Sequence, residues 1–278
     1  QGVSSAASDV YKRQVLITGA SSGIGLSIGQ HLSSLQYQVV GTSRNPDKYP
    51  NHPFPLIAMD VLDNTSVKDG IDALVAAYAR IDVLINNAGM GMAGPLEEMD
   101  LEAVDSLMNT NLNGPIRIMQ HTLAIMHKQQ SGTIINVASL AGDNGLPFRS
   151  IYAASKAALM RVSESLRLEL RHTPIQCTVL SPGSIKTAIA ENRYYAPLAE
   201  NSVYYKQYKA SLADMDNHVN KGLPPICVAK KVEKLINKKK LKPHYSVGPF
   251  LEVLSPIIKF LLPQRAYENL IASFYNLN

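Results

Sequence analysis

The sequence is poor in the residues that build cross-links and metal centres. It has no tryptophan and only two cysteines among its 278 residues, which excludes a disulfide framework. Cys177 lies in the apolar run of residues 175–180, where a buried thiol acts as a small hydrophobic side chain. The seven histidines are scattered and form no cluster with cysteine or carboxylate at metal-ligand spacing. We therefore expect no catalytic metal.

Long apolar runs and strong charge are also absent. No stretch of about eighteen apolar residues is present, so a membrane-spanning helix is not predicted. Residues 1–14 lack the apolar core of a secretory signal, and we expect a reducing, cytoplasmic location. The net charge of +5 comes largely from seven lysines within residues 230–242. An exposed helix face is the simplest interpretation of that run, an acidic membrane surface is the alternative, and nucleic-acid binding is not indicated.

The pattern along the chain divides it into three parts. Residues 1–14 are polar and without periodicity, so we expect a disordered leader foreign to the domain, or else an arm that orders on oligomerisation. Residues 15–248 alternate short apolar runs with segments of helical period, which is typical of one α/β domain. Residues 249–278 predict a C-terminal extension of two apolar helical pieces broken by Pro256 and Pro263.

Seven apolar runs are the candidate strands of a doubly wound parallel sheet with helices on both faces. They are residues 15–18, 38–43, 56–59, 83–86, 132–138, 175–180 and 245–247. Between them, apolar residues recur at helical spacing, as in a stripe over residues 104–116 and a helix over residues 151–171. Residues 184–227 are rich in tyrosine and weak in periodicity, and they predict a long substrate loop.

A glycine-rich turn follows the first candidate strand. It reads Thr18-Gly19-Ala20-Ser21-Ser22-Gly23-Ile24-Gly25 and continues directly into a helical stripe. Glycine lets the backbone approach a pyrophosphate that a Cβ would exclude, and the start of a helix attracts the anion. A purely structural turn is the alternative for the glycines alone. Their place between strand and helix predicts a Rossmann-like fold that binds a dinucleotide.

Cofactor selection in such folds depends on the end of the second strand. An aspartate or glutamate there would accept hydrogen bonds from the ribose 2′-hydroxyl and repel a 2′-phosphate, but this sequence has Ser43 and Arg44. A guanidinium suits adenine stacking and phosphate binding, and Ser43 offers a further donor. We predict NADP(H) rather than NAD(H); a solvent-exposed arginine without a ligand is the alternative.

Further short motifs stand after the later candidate strands or in the helices that follow them. They are Asp60-Val61, Asn86-Asn87-Ala88-Gly89, Ser139, Tyr152-Ala153-Ala154-Ser155-Lys156, Pro182-Gly183 and Thr187. Together with the glycine turn, they resemble the short-chain dehydrogenase/reductase family over residues 15 to about 190. The resemblance implies an oxidoreductase that interconverts an alcohol and a carbonyl by hydride transfer.

The resemblance also implies a catalytic tetrad of Asn111, Ser139, Tyr152 and Lys156. Tyr152 and Lys156 are four residues apart in a predicted helix and share a face, so the ammonium can lower the pKa of the phenol from its usual value of about 10. By resemblance, Lys156 also holds the nicotinamide ribose, Ser139 hydrogen-bonds the substrate oxygen and Asn111 holds a water that links the lysine to solvent. Tyr152 would exchange the proton.

Other cofactor contacts are implied in the same way. Asp60 and Val61 resemble adenine contacts, and Thr187 resembles the donor to the carboxamide. The wall beside the cofactor and the loop after the sixth strand add Asn87, Ala88, Gly89, Pro182, Gly183 and Ile185. As structural alternatives, Asp60 could cap a turn and Asn87 could tie neighbouring strands together.

The substrate is expected to contact residues 90–94, 142–148 and 185–223. These segments are rich in methionine and tyrosine and predict an apolar pocket for a bulky alcohol or ketone, such as a steroid, retinoid or long-chain carbonyl. Simple packing of a lid is the alternative. A 3-oxoacyl thioester is less favoured, because the chain lacks the glycine-rich ending typical of family members that reduce such substrates.

The sequence also bears on two other possible functions and on the oligomeric state. A non-catalytic NADP-binding sensor on the same fold usually lacks the tyrosine or the lysine, and both are present here. Peripheral membrane contact through the apolar tail and the lysine run is compatible with enzymatic activity. By analogy with the family we expect a homodimer or homotetramer.

Overall fold

A computed structural model describes residues 12–187, 193–275 and 277 of the chain. Residues 1–11 of the predicted leader and residues 188–192 of the predicted substrate loop lie outside the described residues. The described chain contains a seven-stranded parallel sheet with helices on both faces, which confirms the predicted α/β architecture.

All seven strands of the large sheet begin and end within two residues of their predicted ends, and the second and fourth predicted strands match at both ends. In chain order the described strands are β1 (Gln14–Ile17), β2 (Gln38–Ser43), β3 (Leu56–Ala58), β4 (Val83–Asn86), β5 (Gly91–Ala93), β6 (Gly132–Val137), β7 (Ile175–Pro182), β8 (Arg193–Tyr195) and β9 (His244–Val247). The large sheet has the order β3-β2-β1-β4-β6-β7-β9. The two strands that were not predicted, β5 and β8, pair in parallel as a separate small sheet. Each has only three residues, too few to produce an alternating pattern.

Helices cover the two faces of the large sheet. They are α1 (Gly23–Ser34), α2 (Asn64–Tyr78), α3 (Leu101–Met108), α4 (Gly114–Lys128), α5 (Ser150–Glu169), α6 (Tyr205–Asn220), α7 (Ile226–Ile236), α8 (Phe250–Leu261) and α9 (Gln264–Phe274). The apolar stripes of α1 and α7 bury residues such as Leu32 and Val232 on one face. On the other face α2, α4 and α5 bury residues such as Ile71 and Ile118.

The centre of the sheet determines where a ligand can bind. All four residues of β1 and of β4 are buried, as expected for central strands covered on both faces. The chain runs from β1 outward to β3 and then returns to the other side of β1 with β4. At such a reversal the loops after the two strands separate and leave a crevice at their carboxyl ends.

The N-terminal boundary predicted at residue 14 is wrong, because Gln14 belongs to β1. Its main-chain N–H donates to the Asp82 carboxylate at 2.8 Å, and its side chain is fully buried. The preceding Arg13 donates to the Ile236 carbonyl at 2.7 Å. A polar residue at the first strand position concealed the start of the strand.

The prediction that Pro256 breaks the C-terminal extension is also wrong, since α8 continues through it. A proline has no N–H and therefore leaves the carbonyl four residues earlier without its helical donor. The Ser255 hydroxyl donates to that carbonyl, the one of Glu252, at 2.8 Å and so replaces the missing bond. Pro263, by contrast, does separate α8 from α9.

Two further segments differ from their predicted form. The stripe over residues 104–116 is divided between α3 and α4 by a wide π-helical turn at Asn109–Asn113, a feature frequent at functional sites. The predicted loop of residues 184–227 contains β8, α6 and the start of α7. Among the described residues, none of the helices combines the length and apolar character needed to cross a bilayer.

Candidate active site

The glycine-rich turn forms a concave backbone surface where β1 leads into α1. Gly19 has a positive φ of 60°, a backbone conformation that residues with a side chain rarely adopt. A Cβ at this position would lie 2.9 Å from Ala88 Cα. A Cβ on Gly25 would lie 2.5 Å from the Gly19 carbonyl oxygen. Ser22 is extended before the helix, and its side chain makes no capping hydrogen bond. Since the first N–H groups of a helix lack intrahelical partners, the turn fits a phosphate-sized anion.

Thr18 attaches this turn to the loop after β4. Its hydroxyl oxygen accepts hydrogen bonds from the main-chain N–H groups of Asn87 at 3.0 Å and Ala88 at 2.9 Å. The Asn87 side-chain amide donates to the Thr18 and Gly19 carbonyls at 3.0 and 3.1 Å. The structural role foreseen for Asn87 is therefore present. Thr18 was not among the predicted site residues, although it stands directly before the first glycine of the motif.

The predicted adenine-side residues lie at the ends of β2 and β3. Arg44 is exposed and Ser43 is half-buried, with its hydroxyl accepting from the Asn45 N–H at 3.3 Å. Asp60 accepts from the Leu62 N–H at 3.0 Å and so caps a turn, which was its structural alternative. Val61 is buried, and its carbonyl accepts from a guanidinium nitrogen of Arg117 at 3.0 Å.

The loop after β7 reaches the same edge of the sheet. A Cβ on Gly23 would lie 3.7 Å from the Thr187 side chain, so Thr187 faces the glycine turn across the crevice. Ile185 forms a parallel bridge with Leu223. Pro182 ends β7, and a Cβ on Gly183 would lie 2.3 Å from a carboxylate oxygen of Glu252 on α8. The structure thus brings the predicted cofactor residues from five loops to one side of the molecule.

Tyr152 and Lys156 lie in the first two turns of α5. Both side chains are buried, with residue exposures of 7% and 5%. The Lys156 ammonium donates to the Val137 carbonyl at 3.2 Å. A Cβ on Gly89 would lie 3.3 Å from Lys156 Nζ and 3.1 Å from Asn111 Oδ1. The Lys156 ammonium therefore lies close to Tyr152, to Asn111 and to Gly89 in the wall of the crevice.

Electrostatics prepare Tyr152 to lose its proton. Burial acts to raise the pKa of Tyr152, but the positive charges of Lys156, Arg149 and Arg193 and a hydrogen bond from Ser139 outweigh burial and lower it. Burial lowers the pKa of Lys156, and the neighbouring Tyr152 only partly opposes this. The pKa of each group is therefore lower than that of its free counterpart.

The other two predicted tetrad members position the main chain. Asn111, buried in the π-helical turn, accepts from the Met90 N–H at 2.9 Å and donates to the Met90 carbonyl at 3.0 Å and to Ser155 Oγ at 3.1 Å. Ser155 in turn donates to the Tyr152 carbonyl at 2.7 Å. Ser139 accepts from the Ala141 N–H at 3.1 Å, which leaves its own proton free to act as donor.

Sequence reasoning missed two cations that influence Tyr152. Arg149 precedes the tyrosine by three residues and stands directly before α5, so its closeness in sequence was the one signal that could have indicated it. Arg193 comes from β8, a strand that no periodicity revealed. In the described ranges, no group of three histidine, cysteine or acidic residues is arranged to hold a metal ion.

An apolar region adjoins Tyr152. Tyr152 packs in one cluster with Met92, Leu107 and Ala141. Next to it is an open cavity of about 530 Å³ whose lining includes Gly94, Leu146, Phe148 and Tyr204. These residues come from all three segments predicted to contact the substrate. Met92 itself is fully packed, which fits the alternative of simple packing for that residue.

Comparisons with known proteins extend this description. A family model described as short chain dehydrogenase matches residues 13–196. The chain is 34% identical over 262 residues to the 3-ketodihydrosphingosine reductase of Bacteroides thetaiotaomicron, covering 94% of this chain and 97% of that protein.

Two solved structures are similar in fold. ElxO with NADP bound is 25% identical, with a TM-score of 0.70 and coverage of 85% of this chain and 97% of that chain. A short-chain dehydrogenase/reductase from Burkholderia phymatum in complex with NAD is 24% identical, with a TM-score of 0.76 and coverage of 92% and 94%. The first of these two structures is thus described with NADP and the second with NAD.

Proposed function

Because the chain belongs to the short-chain dehydrogenase/reductase family of oxidoreductases, we propose that it interconverts an alcohol and a carbonyl with NADP(H), using Tyr152 as acid and base. One observation carries the proposal. A buried phenol with a lowered pKa has an ammonium one helical turn away and the Ser139 hydroxyl beside it, at the edge of a glycine-lined crevice. That arrangement provides a proton donor and a hydrogen-bond donor for one substrate oxygen.

Each residue of the site has a separate role in the proposed reaction. In carbonyl reduction, Tyr152 donates its proton to the substrate oxygen while Ser139 donates a hydrogen bond to the same atom. The Lys156 ammonium stabilises the tyrosinate that remains. In alcohol oxidation the tyrosinate accepts the proton instead. Asn111 holds the Met90 main chain and Ser155, and so keeps the floor of the site in place. A bound nicotinamide supplies or accepts the hydride.

The residues present fit a dinucleotide. The glycine turn would hold the pyrophosphate at the start of α1, and Asn87 to Gly89 would form the wall beside it. Lys156 would contact the nicotinamide ribose, and Thr187 would donate to the carboxamide. Ser43 and the exposed Arg44 offer donors to a 2′-phosphate, and no carboxylate stands at the end of β2 to repel one. NADP(H) is therefore proposed over NAD(H), and a higher kcat/KM with NADH than with NADPH would contradict this choice.

The substrate proposed is a bulky apolar alcohol or ketone. The apolar cluster around Tyr152 and the adjoining cavity support it, as does the relative named for 3-ketodihydrosphingosine, a long-chain ketone. A panel of long-chain, steroid and retinoid carbonyls, with a 3-oxoacyl thioester included, can be screened by the absorbance of NADPH. Turnover of the thioester alone would exclude the apolar class, and binding of NADP without any turnover would favour a sensor.

The acid/base role of Tyr152 is tested by Tyr152→Phe. Only the hydroxyl is removed, so we expect kcat to fall by about 10³-fold or more while the Kd for NADPH stays within about twofold. Tyr78→Phe, at the last residue of α2 where the chain leads back to the amino end of β4, is the matched control and should retain full activity. Substantial turnover by Tyr152→Phe would refute the mechanism.

A further inference from the structure

Arg149 occupies an unusual place relative to the proposed proton carrier. It directly precedes α5, three residues before Tyr152, and its guanidinium carbon lies 5.1 Å from the centroid of the Tyr152 ring. Lys156 follows Tyr152 by four residues on the same face of α5. The phenol is therefore close to one cation at the start of α5 and to another one turn further along the helix.

The charged groups around the phenol differ in how they are paired. Lys156 comes from α5, Arg149 from the residue directly before it, and Arg193 from β8. Arg193 forms an ion pair with Asp216, with a nitrogen–oxygen distance of 3.4 Å, which reduces its net field at the phenol. Arg149 lies against the ring of Tyr152 and beside the hydroxyl of Tyr275, both neutral groups. Glu252 on α8 and Asp214 on α6 are the acidic groups that act on Tyr275, and both raise its pKa.

Tyr275 connects this arrangement to the C-terminal extension. It directly follows α9, is buried, and packs edge-on against Phe274. Burial raises the pKa of Tyr275, and Arg149 partly opposes this, so the hydroxyl stays protonated and neutral near pH 7. A neutral oxygen can accept a hydrogen bond from the guanidinium without cancelling its charge.

We propose that Arg149 is a positioning residue of the active site: its guanidinium stacks on the Tyr152 ring and favours the phenolate, and Tyr275 at the end of the extension holds it there. The inference rests on the proposed function in that Tyr152 must be the proton carrier. A cation over an aromatic face is attracted to the ring, and its field stabilises the negative form of the phenol over the neutral form.

The first test is the pH profile of alcohol oxidation. This kcat/KM rises with pH to a plateau as the phenol loses its proton. Arg149→Met keeps a long side chain but removes the charge, and we expect the rising limb to move up by about half to one pH unit, a loss of about three- to tenfold below the limb. The plateau should stay unchanged. Arg149→Lys restores the charge and should return the limb toward its original position.

A second readout needs neither substrate nor cofactor. The ultraviolet titration of tyrosinate in the native chain, minus that of the Tyr152→Phe variant, isolates the titration of Tyr152. We expect its midpoint to rise in Arg149→Met and, by a smaller amount, in Tyr275→Phe. Arg161→Met is the matched control, because Arg161 is an exposed arginine further along α5 that pairs with Glu164, and it should leave the midpoint in place.

The outcomes separate this inference from the proposed function. If Tyr152→Phe is inactive but neither the limb nor the midpoint moves in Arg149→Met, the inference is overturned and the function stands. If the pH profile of Arg149→Met has a lower plateau but a rising limb at the original pH, the inference is also overturned, since that result indicates structural damage only. If Arg149→Met does not fold, a midpoint in Tyr275→Phe identical to the native one overturns the inference. An active Tyr152→Phe refutes the proposed function itself.

Discussion

The sheet and the C-terminal extension of α8 and α9 differ in how deeply their side chains are buried. The sheet buries every side chain of β1 and β4, whereas α8 has no buried residue at all. Phe260 and Phe250 on α8 are 88% and 75% exposed. Burial of apolar area therefore stabilises the sheet fully, whereas α8 buries apolar side chains such as Val253 and Leu254 only in part.

Polar contacts also hold the extension, and they meet the loops of the active site. Asn144, on the loop that carries Ser139, accepts from the Tyr267 hydroxyl at 2.7 Å and donates to the Ser255 hydroxyl at 3.1 Å. Glu252 accepts from the Ser184 N–H at 2.6 Å, next to the predicted cofactor residue Gly183. The extension is therefore placed to shape the catalytic loops, while the sheet determines the fold.

The largest effect on stability is expected from truncation of Phe54, an aromatic residue in the core beside β1 and α1. It would sharpen the comparison between the sheet and the extension. Its ring is 5% exposed and fills the space left by two glycines, since a Cβ on Gly29 or Gly41 would lie within 3 Å of it. Phe54→Ala should lower the free energy of unfolding by about 3–5 kcal/mol, because neighbouring backbone cannot collapse into the cavity. Urea denaturation measures it. A loss below about 1 kcal/mol would break the contrast.

An intermediate effect is expected where the extension meets the site. Tyr267→Phe removes one hydroxyl and leaves the buried Asn144 oxygen without that donor, so it should cost about 1–2 kcal/mol in urea unfolding. Since Asn144 lies on the loop of Ser139, we also expect a measurable fall in kcat. Tyr205→Phe, on α6, is the control. An unchanged stability and kcat would mean that the extension does not support the loop.

Much of the sheet and of the site followed from the sequence for clear physical reasons. Central parallel strands are buried on both faces, so their apolar runs marked them, and glycine in the turn is required by close backbone approach. The spacing of Tyr152 and Lys156 on one helix face follows from the helical repeat. These features depend on local sequence, which is why they could be predicted.

The features that could not be predicted depend on contacts distant in the sequence. The β5–β8 pair joins segments about a hundred residues apart, and neither segment alone has a pattern that would reveal it. The continuation of α8 through Pro256 depends on a single hydroxyl, that of Ser255. Arg193 and Tyr275 reach the site only because the chain folds back over it.

The smallest effect is expected at the outer face of α8, where the same truncation can be repeated. Phe260 is the most exposed aromatic side chain in the described chain, so Phe260→Ala removes almost no buried area and should change the free energy of unfolding by less than about 0.5 kcal/mol. Phe54→Ala, measured under the same conditions, supplies the matched reference, because both variants delete one phenyl ring. A loss at Phe260 approaching that at Phe54 would mean that the face is covered in solution, and the division between an apolar core and a polar-anchored extension would then fail.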